Sequence, residues 1–221
     1  MKISETPRAR DDVRHWLPSQ GVDPAPLAEL NAECLGLLAT RASQYEGERA
    51  GVAFPPLLGA MRDSWATLSA QAVRRLAAAP FSLFDVGIVH APRWLELRAL
   101  AVHDSAQRAE PAFFELAAGR SIARRMLLYG WHLARSRPRA ACLVFGSSIH
   151  AIESLAACSL AGLEAVAERG GDSLKPRWSG QLAIWRELLE AASAGADKRL
   201  HELLLGGVQR LAAETLGAHS P

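Results

Sequence analysis

Proline placement limits this chain more than any other feature. Pro18, Pro24, Pro55, Pro56, Pro80, Pro92, Pro111 and Pro138 fall at the edges of apolar runs rather than within them. Proline has no amide hydrogen to donate, so a helix accepts it in its first turn and not in its interior. Between these points apolar residues recur at helical spacing. Ala, Leu and Arg are abundant and β-branched residues few, which favours helix throughout. The expectation is an all-α bundle of about eight to ten helices, several of them short, with a helix-turn-helix-like segment in the second half. The chain has 221 residues and is 49% hydrophobic, enough for one core or two small ones. It divides into an N-terminal helical region, 1–110, and a C-terminal helical region, 111–221, with a single domain as the alternative.

In order, residues 1–9 read as disordered, and Asp11 to Leu17 as a short helix ended by Pro18. Asp23-Pro24 opens a helix whose apolar face carries Leu27, Leu30, Cys34, Leu37 and Leu38. Residues 45–54 form a polar linker. Pro55-Pro56 opens the next helix, with Leu57, Leu58, Met61, Trp65 and Leu68 inward, and Ser69 caps another that Pro80 stops. Phe81 to Val89 is rich in apolar and β-branched residues, yet no partner strand is evident. A lone strand is unstable, so the run reads as an irregular buried connector. Pro92 begins a helix with Trp94, Leu95, Leu97 and Leu100, and residues 103–110 form a polar loop. Pro111 opens a helical region reaching about Ser136. After Trp178 come two amphipathic helices separated by Gly195. The first has Leu182, Ile184, Trp185, Leu188, Leu189 and Ala192 on its apolar side. The second has Leu200, Leu203, Leu204, Val208, Leu211 and Leu216. Their short connection suggests an antiparallel pair.

The stretch from Leu143 to Trp178 carries the most specific local signals. Gly146 can end one helix in a left-handed cap, and Ser147 or Ser148 can cap the next. Ile149, Ile152, Leu155 and Ala156 follow at helical spacing; Ser159 caps again, before Leu160, Leu163, Val166 and Ala167. Gly170 and Gly171 stop that helix, and Lys175-Pro176 forces an extended turn. Two short helices joined at a glycine fit a helix-turn-helix. Three packed core helices fit the same residues. As a reader of bases the 148–156 helix is poorly equipped. It offers Ser148, His150, Glu153 and Ser154, where direct readout favours Arg, Asn and Gln.

Phe145-Gly146-Ser147-Ser148, Leu155-Ala156, Ser159-Leu160, Leu163, Val166-Ala167-Glu168 and Arg177-Trp178 together resemble the C-terminal half of the flagellar master transcriptional regulator D subunit. The resemblance covers residues 143–178, and nothing before Arg139 shares it. Ser147 departs from the apolar residue that family carries after the glycine. The resemblance implies a transcription regulator that binds DNA together with a partner subunit.

Charge is unevenly distributed. From Leu116 to Ile152, 37 residues contain no Asp or Glu but six arginines: Arg120, Arg124, Arg125, Arg135, Arg137 and Arg139. The chain total is only +2, so the remainder carries −4. At about 100° per residue, Arg120, Arg124, Leu128, Trp131 and Arg135 share a sector of about 80°, opposite Ile122, Met126, Tyr129, Leu133 and Ala134. Such a face suits phosphate contacts with stacking. It suits an acidic protein partner through Arg and Trp anchors equally. Arginines neutralised by acids of the same chain are the third reading.

Other chemistries lack their residues. Cys142, His150 and Cys158 stand eight apart, whereas zinc ligands usually pair roughly two to five residues apart, so no metal site is expected. Ser105 beside His103 and Asp104 has no nucleophile elbow around it, and His90 near Asp85 is a weak acid–base pair. No Gly-rich phosphate loop precedes a helix, and Gly206-Gly207 fits close helix packing better than ligand approach. No catalytic residue and no cofactor is nominated. Three cysteines without a C-x-x-C pair, and an N-terminus without an apolar signal segment, suggest a reduced, cytoplasmic protein. No window is apolar enough for a membrane helix. The leading expectation is a DNA-binding transcriptional regulator. Arg120, Arg124, Arg135, Arg137 and Arg139 would contact phosphate, and Ser148 and His150 would lie at the groove. The alternative is a non-enzymatic adaptor or chaperone-like protein that binds a protein partner through the same arginines and Trp131.

Overall fold

The computed structural model describes residues 21–45, 54–87, 111–170 and 174–217, without the side chains of residues 169, 170, 216 and 217. The expected helices over 11–17 and from Pro92, the loop at 103–110 and most of the linker after Tyr45 lie outside the described residues. Ten helices and one pair of two-residue strands make up the described chain, an all-α architecture.

Helix α1, Ala25–Gln44, follows Pro24 and buries Leu27, Leu30, Cys34, Leu35 and Leu38. The helix expected from Pro55-Pro56 is two short ones, α2 (Pro56–Ala60) and α3 (Arg62–Ala66), parted where Met61 leaves helical geometry at φ −131°. Gly59, a poor helix former, stands in the turn before that break. Leu57, Leu58, Met61, Trp65 and Leu68 are nevertheless all buried. Helix α4, Ala70–Ala77, is capped by Ser69, whose hydroxyl accepts from the Ala72 amide at 3.1 Å.

The long helix α5 spans Leu116–Ser136 and begins later than Pro111. The residues ahead of it carry Phe113 and Phe114 into the core instead, Phe114 edge-on to Phe84 at 6.0 Å. Then come α6 (Pro138–Phe145), α7 (Ile149–Ala156) and α8 (Leu160–Gly170). The last pair, α9 (Leu182–Ala194) and α10 (Asp197–Gly217), is separated by Gly195 in the left-handed conformation. Helix α1 packs on α3, α4 and α5; α5 on α6, α7 and α8; α9 on α3, α4 and α10. One hydrophobic cluster runs through all of them, from Val22 to Leu211. Gly207 serves that packing, since a Cβ there would fall 2.6 Å from Phe81 Cζ.

The connector after α4 departs from the expectation. Residues 81–84 and Val86 are buried as anticipated, but Phe84–Asp85 is a strand, β1, and it has a partner. It pairs antiparallel with Lys175–Pro176, β2, in the register Phe84 to Pro176 and Asp85 to Lys175. A two-residue strand is too short to show alternation, and a proline in its partner hides the pairing further.

A buried, irregular backbone needs acceptors and donors from elsewhere. Here three elements supply them. Asn31 of α1, fully buried, donates to Phe81 O at 3.1 Å and accepts from the Leu83 amide at 3.0 Å. The end of α6 accepts through Val144 O from the Ser82 amide at 2.8 Å. Arg177, just past β2, donates through Nε to Ser82 O at 2.7 Å and through its own amide to Leu83 O at 2.9 Å.

Candidate nucleic-acid interface

The arginine-rich window folds as α5, α6 and the start of α7. Ile122, Met126, Leu133 and Ala134 are buried on the core side of α5, as their spacing anticipates. The opposite sector is not an open outer face along its length. Helix α8 lies against it. Arg120 and Arg124 both pair with Glu168 of α8, at 3.6 and 3.5 Å. Arg125 pairs with Glu33 of α1. Trp131 is half-buried, and its indole N–H donates to Cys158 O at 2.9 Å, while Leu128 packs on the core edge. Leucine and tryptophan on a helix present apolar area that a neighbour covers, and α8 does so. The first half of the strip is therefore a seam between α5 and the α7–α8 corner.

The second half is different. Arg135, Arg137 and Arg139 are all exposed, around the break between α5 and α6. Arg137 makes the break, at φ −146° and ψ 66°, because Pro138 restricts the residue before it. Its guanidinium lies against Gly21, where a Cβ would sit 3.0 Å from Nη2. Arg135 stacks over the Trp131 ring at 4.7 Å from its centre. Among the described residues, no carboxylate lies within the 4.0 Å of an ion pair from any of these three.

Gly146 ends α6 with φ +55°, the left-handed cap anticipated. Ser148, not Ser147, is the N-cap of α7, accepting from the Ala151 amide at 3.2 Å. Ser147 is fully buried and donates to Phe145 O. His150 and Ile149 are exposed at the start of α7, and Glu153 is exposed one turn later. Helix α6 has eight residues, so it separates the arginine corner from Ser148 and His150 by about 12 Å. The fold thus gathers Arg135, Arg137 and Arg139, places Ser148 and His150 at the far end of α6, pairs Arg120 and Arg124 with Glu168 at the surface, and sets Trp131 against the α7–α8 corner.

In the sequence Arg177 is legible only within the Arg177-Trp178 pair of the resemblance. It is 6% exposed and donates through Nη2 to Phe145 O, fastening the end of α6. Its one legible signal is the Arg-Trp pair directly after a proline, and nothing in that pair indicates burial. Compared with protein-family models, curated proteins and solved structures, the chain matches none.

Proposed function

We propose that this chain is a DNA-binding regulatory protein whose phosphate contacts come from Arg135, Arg137 and Arg139. The observation that carries the reading is three exposed guanidinium groups on one corner, unpaired with any acid of the described residues. A guanidinium fork matches phosphate oxygens in pairs, and an unpaired one gives up no existing partner to do so. Arg120 and Arg124, held by Glu168, leave the contact set. Helix α7 lies about one major-groove width from the corner, measured along α6. Its exposed residues Ile149, His150 and Glu153 include no strong base reader. Binding is accordingly phosphate-dominated and weakly selective. Selectivity would come from a partner subunit, as the resemblance of residues 143–178 to the flagellar regulator D subunit implies.

Fluorescence anisotropy with a labelled random duplex tests this. Three phosphate contacts give a slope of about −3 in log K against log salt. Replacing Arg135, Arg137 and Arg139 together with Gln abolishes binding, whereas replacing Arg120 and Arg124 leaves it. No binding at low salt would sink DNA binding by this chain alone.

The second reading, a non-enzymatic adaptor or chaperone-like protein, draws on one observation. Leu160 is 55% exposed and lies two residues from the carbonyl that Trp131 holds, with Arg135 stacked on that same ring. A partner docked there would be released by Leu160→Ala and would respond little to salt.

A further inference from the structure

Between β1, the turn after β2 and the last helix lies a cleft of about 260 Å³. Four charged residues line it, two of each sign: Lys175 and Arg177, Asp85 and Glu214. Opposite charges around so small a space ordinarily close on one another. Here none of the four comes within the 4.0 Å of an ion pair with another.

Each is held by something other than its opposite. Asp85 Oδ1 accepts from the Gly87 amide at 2.8 Å, and Glu214 Oε1 accepts from the Trp178 indole at 3.0 Å. Each carboxylate keeps a second oxygen. Arg177 donates from Nε to Ser82 O and from Nη2 to Phe145 O. Its Nη1 makes no hydrogen bond among the described residues. At 6% exposure the residue has little contact with solvent, yet Nη1 is not a sealed, unsatisfied donor, so it is the part of the guanidinium left to meet a ligand. Burial works against its charge, while Asp85 and Glu214 are near enough to support it. Trp178, which forms part of the wall, is held at φ +53°, a left-handed backbone that a bulky residue adopts only when its surroundings enforce it. Its indole N–H is committed to Glu214 and its ring is flanked by Phe81 and Arg210.

We propose that this cleft binds a small zwitterion, its carboxylate on Arg177 and Lys175 and its ammonium on Asp85 and Glu214, as a free α-amino acid provides. The charge pattern selects the class. A simple anion would face two carboxylates and a simple cation would face two cations, whereas a molecule with both signs meets both pairs. The volume falls just below the roughly 300–1,000 Å³ of drug-sized sites, which suits a metabolite of amino-acid size.

Thermal unfolding of the full chain with a panel of the standard L-amino acids at millimolar concentration tests the assignment, with acetate and ethylammonium as single-charge controls. At least one amino acid should raise Tm by about 2–4 °C while both controls leave it unchanged. Lys175→Gln and Glu214→Gln should each abolish the shift. Glu214→Gln keeps the acceptor for Trp178, and Lys175 is exposed, so both variants should unfold as cooperatively as the parent without ligand. Asp85→Asn serves if either does not. A panel with no shift overturns the proposal. So does an equal shift with acetate alone, which makes the cleft an anion site, or a shift that survives the variants, which places the ligand elsewhere.

Discussion

The corner at Arg137 and the junction at Arg177 are both built on arginine, and almost nothing else about them agrees. At the corner, three arginines are exposed, and the described fold engages them only through the stack of Arg135 on Trp131 and the approach of Arg137 to Gly21. At the junction, one guanidinium is nearly excluded from solvent and holds carbonyls of two separate segments. The same side chain is surplus to stability in one place and a structural tie in the other. Solvent access and acceptor geometry decide between these roles, and arginine content does not.

The largest effect that separates the two regions is on stability. Arg177→Met leaves Ser82 O buried without a donor and Phe145 O with Ser147 alone, and should cost about 3 kcal/mol in a urea titration. Asn31→Leu removes a second of the three ties to the connector and should cost about 2 kcal/mol, with the salt concentration making little difference to either. The triple Gln variant of the corner should unfold within about 0.5 kcal/mol of the parent. A large loss there would mean that the corner, too, is structural. Arg120→Ala with Arg124→Ala lies between the two cases. Both pairs with Glu168 are exposed, so the double variant should cost about 0.5–1 kcal/mol at low salt and less at high salt.

An effect that appears only at alkaline pH concerns Tyr129, on the core side of α5. Burial, and then the charge of Asp23, push its hydroxyl up to about 12. The unfolded chain gives up that proton near pH 10, well before the folded chain does. Stability is therefore full below about pH 10 and falls as pH rises toward 12. Tyr129→Phe should flatten the tyrosine part of that alkaline slope, read as Tm against pH.

The helical architecture was legible because its signals are local. Pro24, Pro56 and Pro138 stand at helix starts, Ser69, Ser148 and Ser159 cap, and Gly146 and Gly195 take the left-handed turns. The Arg/Trp strip was legible as a pattern but not in its assignment. Helical phase puts Arg124 and Arg135 on one sector, and only the tertiary position of Glu168 separates the paired residue from the unpaired one. The β1–β2 pairing and the cleft at Arg177 were not legible at all. Both join residues about ninety positions apart through segments of one or two residues, where neither periodicity nor composition carries a signal.

That same distance has a consequence for the order of events in folding. Several helix pairs of this chain close short loops, α5 with α6 and α7 above all. The connector after α4 is fixed by Asn31 across 50 residues and by Arg177 across 95. Contacts of such separation cost more loop entropy before they contribute, so they form after the helices have docked. Arg177 and Asn31 then act mainly as a latch on a finished fold. Loosening either should hasten unfolding in stopped-flow traces while leaving the refolding rate nearly unchanged.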